Sequence, residues 1–272
     1  MTASHILTDL RALALHRARA SAADLFLQRA AADDVEDRLN SVNRTFTSPA
    51  IVTPFPSIWH SRLPGARIVP ERDVLDLQPS SHDLVVHSLG LHWSNDPVGQ
   101  LIQCRNALKP DGMLIALSLG GQTLQELRAC LGQAEVALTD GLSPRVAPMG
   151  EIRDLGALLQ RAGLALPVAD SITLKAQYRD AWHLMRDLRA NGETNALAHR
   201  LRQTATRRLF DQTARLYREH HPTANGKVLA TFEIVALTGW APDSSQPKPL
   251  RPGSASQRLA DALSVRETPL PD

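Results

Sequence analysis

The sequence predicts an α/β fold, and three observations predict it. Residues 83–119 read as strand, helix, strand; residues 50–53 supply an earlier apolar strand; and residues 230–240 supply a later one. Residues 83–88 are an apolar run with a β-branched pair, bounded by Ser80 and Ser81 before it and Gly90 after it. Such a run reads as a buried strand. Val98, Leu101, Ile102 and Leu108 then recur at roughly helical spacing. Asp96 before Pro97 is an N-cap followed by proline at the first helical position. Lys109-Pro110-Asp111-Gly112 reads as a turn, and residues 113–119 as a second apolar strand. A strand–helix–strand crossover makes a right-handed parallel pair.

In chain order, residues 1–4 are expected to be disordered. Residues 6–27 form an alanine-rich amphipathic stretch interrupted near Ser21, and residues 31–39 continue it as helix. Residues 43–49 are a loop, and the strand at 50–53 runs into Thr53-Pro54-Phe55-Pro56-Ser57. Ser57 is expected to cap a short helix over 57–63, with a strand at 66–70. Thr123 is expected to cap a helix running to about Leu138. Residues 149–162 form a further helix stopped by Gly163. Residues 164–178 supply one or two strands, 181–189 a helix, and 196–221 a long basic helix. From Ala241 the chain is rich in Pro and Ser, with a final helix over 254–264 and a disordered end. Three regions follow: a helical extension over 1–40, an α/β domain over 41–242 and a tail over 243–272.

Composition excludes several classes. With 272 residues and 43% hydrophobic residues, the chain can bury a sizeable core. Net charge is +2, and no aromatic residues interleave with Arg200, Arg202, Arg207, Arg208, Arg215 and Arg218. Those arginines therefore read as a solvated helix face rather than a nucleic-acid site. Cys104 and Cys130 are too few and too far apart for a zinc site and read as reduced helix residues. There is no signal peptide and no run of 18 apolar residues, which predicts a cytoplasmic protein with no transmembrane segment and no metal.

A resemblance sharpens this reading. The segments DLVV, LHW, LKPDG, GGQTLQELR at 120–128, GLSPRVAP at 141–148, DLGALLQRAG at 154–163, LMRDLRANGETNA at 184–196 and TGWAPDSSQPKPLRPGSA at the end occur in order. Together they resemble class I S-adenosylmethionine (SAM)-dependent methyltransferases. Within these they resemble the bacterial relatives of mitochondrial complex I assembly factor 5, and more distantly the malonyl-carrier-protein methyltransferase (BioC) of biotin synthesis. The resemblance covers about two thirds of the chain, from Asp83 to Ala255. It implies a truncated class I methyltransferase (Rossmann-like) sheet with a C-terminal antiparallel edge strand and an N-terminal helical extension. It implies SAM as cofactor. It also implies a role with respiratory complex I, since the mitochondrial member is linked to modification of an arginine in a complex I subunit during assembly.

The N-terminal third departs from that pattern. The family's first strand runs into a GxGxG turn that lets the backbone approach the cofactor. Here the turn is Thr53-Pro54-Phe55-Pro56-Ser57, with no glycine and two prolines that remove N–H donors. Between Thr53 and Asp83 there is room for one strand–helix–strand unit rather than two. Either the second or the third strand is lost, and the match of ERDVLDLQPSSHDLVV to the family's third-to-fourth strand link favours the second as the missing one. Asp73 then matches the acidic residue near the adenine, and nothing remains for the ribose. Ser88, Leu89 and His92, on the loop after the fourth strand, and the Gly120-Gly121 turn would be the surviving walls of a remnant cofactor pocket. His92 and Trp93 equally read as a packing and hydrogen-bonding pair that shapes the loop. Arg145 reads as a surface arginine or as an anion or partner contact. Two functions stay open: a degenerate family member that acts through protein contacts, in complex I assembly, and an active SAM-dependent methyltransferase or assembly-factor-type hydroxylase with an unusual cofactor site.

Overall fold

The computed structural model describes residues 6–21 and 23–247. Its centre is a six-stranded sheet in the order β2-β1-β3-β4-β6-β5. The strands are β1 (Pro49–Val52), β2 (Arg67–Val69), β3 (His82–His87), β4 (Leu108–Leu119), β5 (Ala165–Tyr178) and β6 (Val228–Trp240). β2, β1, β3 and β4 pair in parallel, while β6 runs antiparallel to both β4 and β5. The sheet is thus parallel over its first four strands and antiparallel over the last two pairings.

Successive strand residues point to opposite faces, and each face carries its own core. Ile51, Leu84, Val86, Ile115 and Phe232 face one side, where α2 (Phe26–Ser41), α4 (Gln125–Thr139) and α7 (Arg207–His220) pack. Ala50, Val52, Val85, Leu114 and Leu237 face the other, against Leu101 and Cys104 of α3 (Pro97–Ala107) and Leu159 of α5 (Ile152–Arg161). The remaining helices are α1 (Leu10–Arg17) and α6 (Ala181–Ala190). Asp96 caps α3 by accepting from the Gly99 N–H at 2.8 Å, and Pro97 occupies the first turn. Asp83 fixes the entry to β1 by accepting from the Thr47 and Ser48 N–H groups and the Thr47 hydroxyl.

Several expectations are corrected. β6 is not at the edge; β5 is. The burial patterns give the reason: β6 is buried on both faces nearly throughout, while β5 has exposed residues along most of its length. A strand apolar on both faces belongs inside a sheet. β4 begins at Leu108, so Lys109-Pro110-Asp111-Gly112 lies inside the strand as a bulge rather than before it: Asp111 sits at φ 58°, and the register shifts between His82 and Leu84. Residues 57–63 form no α-helix but a 3-10 turn over Pro56–Ile58 followed by further turns, and Pro64-Gly65 stops the segment. Thr123 does not cap α4: it exchanges hydrogen bonds with the Glu233 backbone, and Leu124, at φ 55°, precedes the helix. The basic helix starts at Arg207, capped by Thr206, not at Ala196.

The six arginines of that region largely serve the fold. Arg200 and Arg202 pair with Asp9, Arg207 with Asp211 and Arg215 with Glu219. Cys104 and Cys130 are buried free thiols, and burial pushes them up to about 12 and about 11. No helix among the described residues is long and apolar enough to cross a membrane. Residues 243–247 form a separate turn in which the Asp243 carboxylate accepts from the Ser245 N–H and hydroxyl. The expected final helix and both chain ends lie outside the described residues.

Candidate functional site

The carboxyl ends of the parallel strands are where open α/β sheets bind their ligands. In this chain that end divides into a filled half over β1 and a hollow half over β3 and β4.

Over β1, the turn that a glycine cradle would occupy is closed by side chains. The Phe55 N–H donates to Thr53 Oγ1 at 3.1 Å, and Phe55, Ile58 and Trp59 are buried beneath. Trp59 Nε1 donates to Ser88 Oγ at 3.2 Å, and Ser88 Oγ reaches Gln28 Oε1 at 3.4 Å. β2 lies directly beside β1, the place of the second strand in a doubly wound sheet. Glu71 follows two residues after it. An acid, Glu71, thus follows the strand that lies beside β1, where the sequence reading found none for a ribose. The signal was obscured because β2 reads by sequence as the third strand. Glu71 is not free, however. Arg17, the last residue of α1, donates to Glu71 Oε2 at 2.7 Å, and both side chains are largely buried. A Cβ on Gly90 would collide with the Glu71 carboxylate. These residues do not reproduce a SAM cradle: the turn lacks glycine N–H donors, and the acid is held by an internal cation.

Over β3 and β4 the chain makes a sharp exit. Leu89, fully buried, sits at φ 44°, a conformation costing about 1–2 kcal/mol outside glycine. It directs Gly90 and the Leu91–Trp93 3-10 turn back over the sheet. Leu119 N–H donates to His92 Nδ1 at 3.4 Å. His92 Nε2 lies 3.1 Å from Glu193 Oε2, and Trp93 Nε1 donates to the same oxygen at 2.8 Å. Burial pushes the Glu193 carboxyl up, but His92, Arg17 and the Trp93 N–H together outweigh it and hold it below its ordinary value. Glu193 Oε1 is buried with no partner.

Glu193 and Trp93 form part of the wall of a cavity of about 480 Å³, a size usual for small-ligand sites. Leu119, Leu124, Leu127, Met149, Met185 and Phe232 supply apolar wall. The loop over 141–148 contributes Arg145, Val146 and Ala147, with Arg145 bound to Glu135 at 2.6 Å. Trp182, Arg186 and Arg189 of α6 also line it, and Trp182 stacks at a tilt against Phe210 at 5.5 Å.

Ser88, Leu89 and His92 thus cluster on the exit from β3, all buried, with their polar groups engaged within the chain. Asp73 is not brought to them. It is exposed and lines a second hollow with Asp96 and Gln103, and its carbonyl accepts from Gln100 and Gln103. The close approaches that Gly120 and Gly121 permit are to Glu233 and Glu151 of the chain itself. Glu193 escaped the sequence reading because it lies 101 residues from His92 in a stretch read as a turn. Among the described residues, no group of three or more His, Cys, Asp or Glu side chains is placed to hold a metal.

No family model matches the sequence. The chain is 36% identical over 205 residues to the mitochondrial arginine-hydroxylase NDUFAF5 of Danio rerio, covering 75% of this chain and 64% of that protein. It is 32% identical over 189 residues to the malonyl-[acyl-carrier protein] O-methyltransferase of Methylovorus sp. (strain MP688), covering 67% and 61%. The chain thus spans a little under two thirds of these relatives. The solved YcgJ protein of Bacillus subtilis aligns over 78% of this chain and 99% of its own, at 11% identity and a TM-score of 0.49.

Proposed function

This chain is a methyltransferase-fold homologue of the NDUFAF5 arginine-hydroxylases and the malonyl-[acyl-carrier protein] O-methyltransferases, and on that premise we propose that it works through a protein contact, receiving an arginine side chain of a partner in the cavity over β4. The observation that carries this is Glu193: a buried carboxylate with one unpartnered oxygen, and the one acidic side chain, among the described residues, in the wall of a mostly apolar cavity that Arg145, Arg186 and Arg189 also line. A buried charged acceptor left unsatisfied is costly, and a guanidinium supplies planar paired donors for it. The aliphatic stem of an arginine suits the leucine and methionine walls. The filled turn over β1 and the Arg17–Glu71 pair support a role that does not depend on SAM. The partner is a protein such as a subunit of a respiratory complex, met on the cytoplasmic side.

Titration calorimetry with N-acetyl-arginine amide tests this. Wild-type protein should bind it, and binding should weaken at least tenfold in Glu193→Gln or when citrulline replaces arginine. Equal binding of arginine and citrulline would sink the reading. SAM at 1 mM should produce no thermal shift.

A second reading keeps SAM. It is favoured by Glu71 after the strand beside β1 and by the O-methyltransferase relative. It requires Arg17 to leave Glu71, so Arg17→Ala should then gain SAM affinity. A Kd below about 100 μM, roughly −5.5 kcal/mol, would establish it.

A further inference from the structure

The face of α6 that borders the cavity carries Trp182, Arg186 and Arg189, at spacings of four and three, so the three side chains form one stripe. Arg186 and Arg189 are exposed, and neither guanidinium has an ion-pair partner among the described residues. Elsewhere in the chain Arg17, Arg38, Arg44, Arg62 and Arg145 pair with acids. Arg145 borders the same cavity with its charge already spent on Glu135. The site therefore has opposite signs at two depths: a carboxylate buried in its wall and two cations on exposed α6 residues that line it, neither in an ion pair, with Asp180 acting on Arg186 at longer range. A lone arginine side chain would be attracted by the first and repelled by the second.

Resting on the arginine reading above, we propose that the α6 stripe selects the sequence around that arginine: the partner segment carries acidic residues flanking it, which pair with Arg186 and Arg189. Charge complementarity on exposed residues chiefly sets partner choice and encounter rate, and each such pair contributes modestly. Two pairs together predict an affinity gain of about three- to tenfold. The gain must fade at high salt, since these charges are screened over about 10 Å at 0.1 M. The Glu193 contact, being buried, must fade less.

The test is fluorescence polarisation of three labelled nine-residue peptides with the full chain: arginine flanked by aspartates, arginine flanked by asparagines, and glutamine flanked by aspartates. The expected result at 50 mM salt is tightest binding by the first, three- to tenfold weaker binding by the second, and loss of the third. The gap between the first two should close at 0.5 M salt. In Arg186→Glu/Arg189→Glu, or the milder Arg186→Gln/Arg189→Gln, the preference should reverse or vanish. Equal binding of the two arginine peptides to wild-type protein, with the glutamine peptide still failing, would overturn the acidic-flank inference and leave the arginine pocket standing. Binding of the glutamine peptide as tightly as its arginine counterpart, or binding of none, would defeat the pocket reading and this inference with it.

Discussion

The two halves of the strand ends differ in what they do with buried polarity. Over β1, Thr53 accepts from the Phe55 N–H, Ser88 from Trp59 and Glu71 from Arg17, whose Nε and Nη2 stay buried without a partner. Over β3 and β4, His92, Trp93 and Glu193 leave one carboxylate oxygen unanswered beside a cavity. The unanswered groups are donors of Arg17 in the first half and an acceptor of Glu193 in the second, and the two halves are built by different chain segments.

The comparison is most easily broken at Trp59. If the β1 half is structural, Trp59→Ala should cost about 3–5 kcal/mol in urea unfolding while leaving arginine affinity within about twofold in the folded fraction. A cost under 1 kcal/mol would mean that half is not packed as described. Arg17→Ala strands Glu71 beside Gly90 and should cost about 2–3 kcal/mol, read by the same unfolding measurement.

Glu193→Gln sharpens the contrast through pH. The folded-state carboxyl sits below its ordinary value of 4.5, so its contribution is present above that value and lost as pH falls through the lower folded one. The variant should be about 1–2 kcal/mol less stable than wild type at pH 7, and the difference should shrink with acid below about 4.5. A difference that is constant from pH 7 to pH 3 would remove the charge from the argument. Smallest of all, Arg186→Ala should change stability by no more than about 0.5 kcal/mol, since it has no partner to lose; a thermal melt suffices to check it.

The sheet was legible where its signal was local. Strands β1 and β3, the Asp96 cap and the Gly163 stop all follow from apolar runs and turn chemistry within a few residues. The edge strand was misplaced although its signal was present: ATFEIVALTGW is apolar at both parities, which asks for two neighbours rather than one. The loop over 141–148 supplies Val146 and Ala147 to the cavity wall. Glu193 was not legible, because nothing in NGETNA records that α6 will bring it beneath Trp93. Glu71 was hidden by a shortened chain, since one strand takes the spatial place of the second while keeping the sequence dress of the third.

The interior position of β6 bears on how the chain emerges from the ribosome. Residues 49–119 can pair four strands in succession, and β5 then finds no partner among them, because its whole length pairs with β6. Until residue 240 has been synthesised, β4 and β5 each present an unpaired edge, the exposure that invites association with other chains. At synthesis rates of about 5–20 residues per second, the roughly 120 residues between the end of β4 and the end of β6 keep that edge of β4 open for several seconds. A nascent-chain binder that protects strand edges, or slow expression that lengthens the interval, should change the yield of this protein more than that of a fold whose last strand adds at a margin.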